Sequence, residues 1–404
     1  MIAAGDPLLA HGLDLGVVIL LAVKAVIGFT FVIIGVILMI WFERKVIADM
    51  QNRIGPNRAG PWGLLQTLAD GIKLIFKEDL QPDRADKLVF RLAPYLSVAP
   101  AFLTFCIVPI GGIFTGGHNG TVHLFGHDML LQVADPPIGV LFMLAMSSIG
   151  VYGVMLAGWS SGSKYPLLGA VRASAQMVSY EAALGLSVVT VILLSGSLST
   201  HDIVAMQAGS LLNWNLLATA GMPFAIFCIA ATAELNRPPF DLVEAEQELV
   251  GGFHTEYSSI RFGMFYLAEF MNTITMSAII VTLFLGGPAG PIGPGPANVY
   301  PFFWFLLKLL VFLAAFVWVR GTVPRYRYDQ LMDLGWKRLI PVSLLWLLFI
   351  GAIRIGRDQD WSPVIVPAAA IAVGLLVALL LGGAMRTAAI RRDQTGDELG
   401  EVSV

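Results

Sequence analysis

Charge is what this sequence has least of. Only 13 % of its 404 residues are Asp, Glu, Lys or Arg, where a soluble domain carries roughly 25 %. With 56 % apolar residues and a mean hydropathy of +0.76, the chain cannot build a water-facing shell around its own mass. Its solvent is therefore lipid. Cysteine is nearly absent too: Cys106 and Cys228 both sit inside apolar runs. Two such residues exclude a disulfide framework, a tetrahedral zinc site and a cysteine-held iron–sulfur cluster within the chain. No G-x-G-x-x-G follows a strand pattern, and neither a Walker sequence nor H-E-x-x-H occurs, so the usual nucleotide, nicotinamide and zinc-protease chemistries are missing. A net charge of −3 gives no reason to expect nucleic acid as a partner. No basic residue precedes Lys24; a cleavable signal needs a basic start, so the first apolar run is expected to be retained.

What is present is length of apolar run. A helix crossing the hydrocarbon core needs about 20 such residues. Nine runs qualify: 15–42, 88–113, 136–158, 170–194, 213–235, 262–285, 300–320, 339–356 and 363–385. They are too long and too uniformly apolar for lipid-facing strands of period two. The expected fold class is an all-α polytopic membrane protein of about nine transmembrane helices, with an amphipathic surface helix and long cytoplasmic loops. With the N-terminus outside, the inside segments 43–87, 159–171, 236–261, 320–338 and 386–404 hold 19 Lys and Arg residues, and the outside segments hold one, Arg357. That asymmetry sets the orientation. His118, His123 and His127 fall in an outside segment without the spacing of a metal site, and a solvated loop is expected there.

One inside segment, 60–78, is amphipathic. Leu64, Leu65, Leu68, Ile72, Ile75 and Phe76 recur at helical spacing, while Asp70, Lys73 and Lys77 lie largely off that stripe. Gly60 and Pro61 are expected to start the helix. Such a helix lies in the membrane interface. It is either a plain surface anchor or a flap beside a lateral opening for a lipid-soluble ligand.

The remaining charges stand in unusual places. The inside segment around 234–256 carries Glu234, Asp241, Glu244, Glu246, Glu248 and Glu256 against one Arg237. A short helix over 240–250 would put Asp241, Glu244 and Glu248 on one face, where neighbouring carboxylates titrate as a set. A solvated acidic loop docking a basic partner is the plainer alternative. Glu181 lies about 16 Å into the fourth run, preceded by Tyr180, and Glu269 about 10 Å into the sixth. Charges at such depth are paired, protonated or hydrated. Either they clamp helices, for example Glu181 with Arg91 or Arg172, or they relay protons, with Tyr180 helping to deliver one to Glu181.

Four blocks carry a resemblance. They are ERKV at 43–46 with RIGPN at 53–57, GPWGLLQ at 60–66 and Asp70; GWSSGSKY at 158–165 with Gln176 and Glu181; AELNRPPFDL at 233–242 with Glu244, Glu246, Glu248, Glu256 and Tyr257; and PRYRYDQLM at 324–332. In collinear order over about residues 15–355, they resemble the quinone-site membrane subunit family of respiratory complex I, whose members occur in bacteria and in mitochondria. The resemblance implies a subunit of a proton-translocating NADH:quinone oxidoreductase in a bacterial plasma membrane. Its inside loops, with a neighbouring hydrophilic subunit, would enclose a chamber for ubiquinone or menaquinone. The first span, the amphipathic helix and the sixth span would frame the chamber's membrane opening. Small membrane subunits would adjoin it. FMN and iron–sulfur clusters would lie only in partner subunits, with no redox centre here.

By motif match, Glu43, Arg44, Arg53, Arg237 and Arg325 would be chamber or docking residues. Asp70, Glu181, Glu234, Asp241, Glu244, Glu246, Glu248 and Glu256 would form the proton relay. Residues 1–356 would be the family domain. Residues 357–404 would be an extension with an extra transmembrane helix and a charged tail, since the family usually has eight spans. A membrane-bound hydrogenase or a ferredoxin- or deazaflavin-linked complex uses an equivalent subunit and is the alternative. An ion transporter would need breaks within its spans, whereas the Gly–Pro breaks here fall between them. A purely structural anchor has no use for Glu181 and Glu269.

Overall fold

The structure is a computed structural model that describes residues 6–9, 12, 14–114, 119–124, 126–241, 250–291 and 299–359. The chain divides into two compact units, Met1–Ser343 and Leu344–Val404. The first contains α1 (Leu15–Met50), α2 (Gln66–Phe76), α3 (Lys87–Phe105), α4 (Gly139–Ser160), α5 (Lys164–Ser195), α6 (Thr200–Gln207), α7 (Asn215–Ala218), α8 (Met222–Glu234), α9 (Ser259–Phe284), α10 (Val299–Thr322) and α11 (Tyr328–Asp333). A π-helical turn, Leu334–Leu339, then leads into α12 (Ile340–Asp358). The second unit is described only over 344–359, the C-terminal part of α12, where Arg354 Nε lies 3.6 Å from Asp358 Oδ2. The ninth apolar run, the charged tail and most of the Gly–Pro loop lie outside the described residues.

Seven helices are long and apolar enough to cross a membrane among the described residues: α1, α3, α4, α5, α9, α10 and the combined stretch Tyr328–Asp358. The fifth expected run differs. It holds the single turn of α7, then a break, then α8 of 13 residues. That is about 20 Å of helix, short of the roughly 30 Å hydrocarbon core. Ala220 and Gly221 both have positive φ, and Pro223 starts the new helix without needing a backbone donor. The second run also stops early, at Phe105 rather than 113. A small antiparallel hairpin, β1 (Thr121–Leu124) and β2 (His127–Leu130), stands where a bare loop was expected, and His123 Nδ1 lies 2.9 Å from Asp128 Oδ1 in it. His118 lies outside the described residues.

The central helix is α9. Its most apolar stretch is 83 % buried, against 17 % for α1, so α1 faces outward and α9 is enclosed. Around α9 a single cluster joins Val36 and Met39 of α1 to Phe105, Met143, Leu184, Phe227, Met271 and Phe305. Close approach of α3 and α4 requires Gly153, where a Cβ would collide with Ser97 Oγ. Asp14 and Asp86 cap α1 and α3 by accepting from the first backbone N–H groups. Two lysines inside spans are satisfied near one end. Lys24 pairs with buried Asp6. Lys308 Nζ lies 2.8 to 2.9 Å from the carbonyls of Leu285, Gly287 and Ala289, just past the end of α9.

Candidate functional site

The first span runs eight residues beyond its expected end. The stretch ERKVIADM contains good helix formers and no breaker, so α1 continues to Met50, and Glu43 and Arg44 stand on a helix rather than in a loop. The amphipathic helix starts later than expected. Pro61–Gly63 forms a 3₁₀ turn with Trp62 and Gly63 at positive φ, and α2 begins only at Gln66. Gly63 is required there, because a Cβ would meet the Pro56 carbonyl.

α2 is held along both of its sides. Toward α1, Arg44 pairs with Asp70, Thr67 Oγ1 donates to the Ile37 carbonyl at 3.2 Å, and Trp41 Nε1 donates to the Trp62 carbonyl at 3.0 Å. Toward α9, Ser259 Oγ lies 2.9 and 2.8 Å from the carbonyls of Leu74 and Lys77, with one proton to share between them. Leu65, Leu68, Ile72, Ile75 and Phe76 remain exposed. The first span, the surface helix and the sixth span are thus bonded to one another, and an apolar face is left uncovered.

Burial alone would raise the Asp70 carboxyl. The Arg44 hydrogen bond and charge, helped by Gln66 and Lys73, outweigh it and hold Asp70 below the ordinary 3.8. A lowered carboxyl stabilises the fold above its unfolded value and loses that contribution as pH falls through the folded value. The contact is half-exposed, so Asp70→Asn or Arg44→Gln should loosen α2 by no more than about 1 kcal/mol. Faster hydrogen exchange of the α2 amides would report it. The exchanged pair, Arg44→Asp with Asp70→Arg, should return exchange toward the original rate; no recovery would mean that the pair does not hold α2.

Beside this frame the four sequence blocks converge. Arg237, 5 % exposed, places Nη1 2.7 Å from Glu43 Oε2 and Nε 2.7 Å from Glu269 Oε1, with its guanidinium 4.3 Å from the centre of the Phe270 ring. Glu43 is also paired with Arg320 of α10. Two cations and two carboxylates balance, which is the condition for burying them. Arg325 Nη2 lies 3.1 Å from Asp241 Oδ2, and Tyr326 stacks on Phe240. Gln176 Nε2 donates to the carbonyls of Ala233 and Phe240 at 2.7 and 2.9 Å. The first, second and fourth blocks are each bonded to the third.

A cavity of about 90 Å³ opens among α3, α4, α8 and α9. Its wall is mostly apolar, with Ser97, Ser147, Glu234, His254, Glu269 and Asn272 among its polar groups. That is the usual make-up of a small-molecule site. Burial pushes the His254 imidazole down to about 4, so it is neutral near pH 7. Glu234 is 6 % exposed and accepts from Ser147 Oγ; its other oxygen, Oε2, is buried with no hydrogen-bond partner among the described residues. The next residue on α4, Ser148, donates to Glu181.

Not every expected residue joins. Glu181 forms no ion pair with Arg91 or Arg172 among the described residues. Arg91 is exposed, and Arg172 lies over the Tyr328 ring at 5.1 Å. The Tyr180 hydroxyl donates to the Leu331 carbonyl at 2.8 Å. Glu269, open between clamp and relay, pairs with Arg237. Arg53 bonds Gln51 of its own loop, at 2.7 Å. Glu256 is half-buried at the far end of the third block. Glu244, Glu246 and Glu248, with most of the expected 240–250 helix, lie outside the described residues. Arg320, Ser147 and Ser148 carry no motif that marks them in the sequence. The one signal for the serines is a pair of adjacent hydroxyls in the middle of an apolar run.

The family model described as NADH dehydrogenase matches residues 23–351. The chain is 52 % identical over 368 residues to the H subunit of NADH-quinone oxidoreductase from Frankia alni, covering 89 % of this chain and 79 % of that one. It is 50 % identical over 374 residues to the corresponding protein of Frankia casuarinae, covering 91 % and 80 %. Against that of Streptomyces avermitilis it is 48 % identical over 368 residues, covering 90 % and 79 %.

Proposed function

The chain belongs to the NADH dehydrogenase family, among the membrane subunits of NADH-quinone oxidoreductase, complex I, and we propose that it frames the quinone chamber and passes the energy of quinone reduction into proton movement. The observation that carries this reading is the place of α2. It is fastened to α1 and α9, keeps its apolar face uncovered, and shares α9 with the polar-dotted cavity. A long-tailed quinone partitions into lipid, so its opening belongs at membrane depth beside such a face. The head group is reached with a hydrophilic neighbour docked on the inside loops, the N-terminus lying outside a bacterial plasma membrane. Electrons arrive from FMN and iron–sulfur clusters of partner subunits, and this chain supplies no redox centre.

Two-electron reduction makes the quinone head a base that takes up two protons. Glu43, Arg44, Arg237 and Arg325 line or support the chamber's inner side, with Arg53 placed to dock a partner. In a low-dielectric site their fixed charges act strongly on that change. Asp70, Asp241, Glu244, Glu246, Glu248 and Glu256 form the inner carboxylates of the relay, and Glu234 and Glu181 carry it into the membrane.

Ala69 lies exposed on α2 between Leu68 and Asp70. Ala69→Trp should raise the apparent KM for a long-tailed quinone by about tenfold, the effect of a crowded route. It should raise that for a short-tailed quinone by less than about twofold, because the smaller molecule passes a narrowed opening. Steady-state kinetics on assembled complex with both quinones decides it. Equal effects on the two would contradict an opening at α2.

A further inference from the structure

We propose that Ser147 and Ser148 are a paired positioning device, holding Glu234 and Glu181 against α4 so that a proton passes between the two carboxylates along that helix. The inference rests on the relay reading above and adds to it the residues that set the relay's geometry. Two consecutive residues on a helix point about 100° apart. One turn of α4 therefore reaches two neighbours at once. Ser147 donates to Glu234 of α8, and Ser148 donates to Glu181 of α5.

The hydroxyls are more than polar filler. Each has one proton to give and two lone pairs to accept with. Ser148 Oγ lies 3.1 Å from the Leu144 carbonyl as well as against Glu181 Oε1. One proton cannot serve both acceptors. When Glu181 is ionised, the hydroxyl donates to it. When Glu181 holds the proton, the hydroxyl turns back to the Leu144 carbonyl and its lone pair accepts from the carboxyl. The serine is unchanged after each cycle, so no co-reactant is needed. On the other side, Ser147 lines the cavity and fixes Glu234 through Oε1, leaving Oε2 uncommitted among the described residues. A buried acceptor left open in this way is uncommon in a finished core. Glu234 thus receives from the cavity side and is held from the α4 side.

The test uses the intact complex in membrane vesicles, with pumping expressed per assembled complex. Ser147→Ala with Ser148→Ala should lower quinone-dependent pumping about tenfold, the scale of losing hydrogen bonds to charged groups. The pH profile of pumping should move with it. Ser148→Thr, which keeps the hydroxyl and the carbonyl behind it, should stay within about twofold of the parent. Glu181→Gln and Glu234→Gln are measured alongside. If both glutamine variants fail but the double alanine variant pumps normally with an unmoved pH profile, the serine device is overturned and the relay stands. If the alanine variant fails and the threonine variant fails equally, the hydroxyl is not the operative group and the device is overturned. If both glutamine variants pump normally, the relay reading itself falls, and the device with it.

Discussion

Arg237→Met should strip most of the assembled subunit from the membrane. Arg237 stands between two carboxylates at 2.7 Å, is 5 % exposed, and lies on the Phe270 ring. Methionine keeps much of the volume and removes the charge. Glu43 retains Arg320, but Glu269 then has lost the cation that faced it. Breaking a buried pair from one side costs about 3–5 kcal/mol, because the other charge is left behind. A membrane subunit with the usual marginal stability does not survive that loss intact. Arg237→Lys should fall between the two, since an ammonium cannot face two carboxylates in the planar geometry of a guanidinium. Adding Glu269→Gln to Arg237→Met should recover a substantial part of the loss. The measurement is the amount of chain in purified complex together with its thermal unfolding. A wild-type level of Arg237→Met would mean that the network contributes little.

Apolar length made most of the fold legible. Runs of 20 residues announce spans because no other element hides so many unpaired apolar side chains, and seven spans stand where such runs lie. Their ends were less legible. Charged helix formers carry α1 past the apolar run to Met50, and α5 begins at Lys164 rather than 170. Glu181 therefore lies about 26 Å from the start of its helix rather than 16 Å. The fifth run failed in another way. Its apolar composition is continuous, but Ala220 and Gly221 turn the backbone and leave α8 half-length. A break inside a span thus exists, and the absence of one no longer argues against a transporter; the family match does.

The candidate site was legible as blocks and not as pairings. Glu43, Arg237, Glu269 and Arg320 come from four separate helices and loops. No local spacing joins residues so far apart in the chain, so only packing around α9 decides which glutamate meets which arginine. Glu181 illustrates the converse. Depth in a span pointed to function, but its expected arginine partners lie elsewhere, and a serine of low informational weight holds it instead.

Proton pumping by the assembled complex carrying Glu181→Gln tests the account most directly. Glutamine keeps the shape and can still accept from Ser148 Oγ, but it has no proton to pass on. Because Glu181 forms no ion pair among the described residues, the change strands no described arginine, and assembly should be normal. A positioned proton carrier contributes about 10²–10⁴-fold to a transfer step. Pumping per electron pair should therefore fall to a small fraction of the parent value, and tightly coupled electron flow to quinone should slow with it. NADH oxidation by an artificial acceptor should remain intact. Vesicle acidification, divided by the amount of assembled complex, gives the answer: a collapse of pumping with full assembly is the result this account predicts, and normal pumping in the fully assembled Glu181→Gln variant would contradict it.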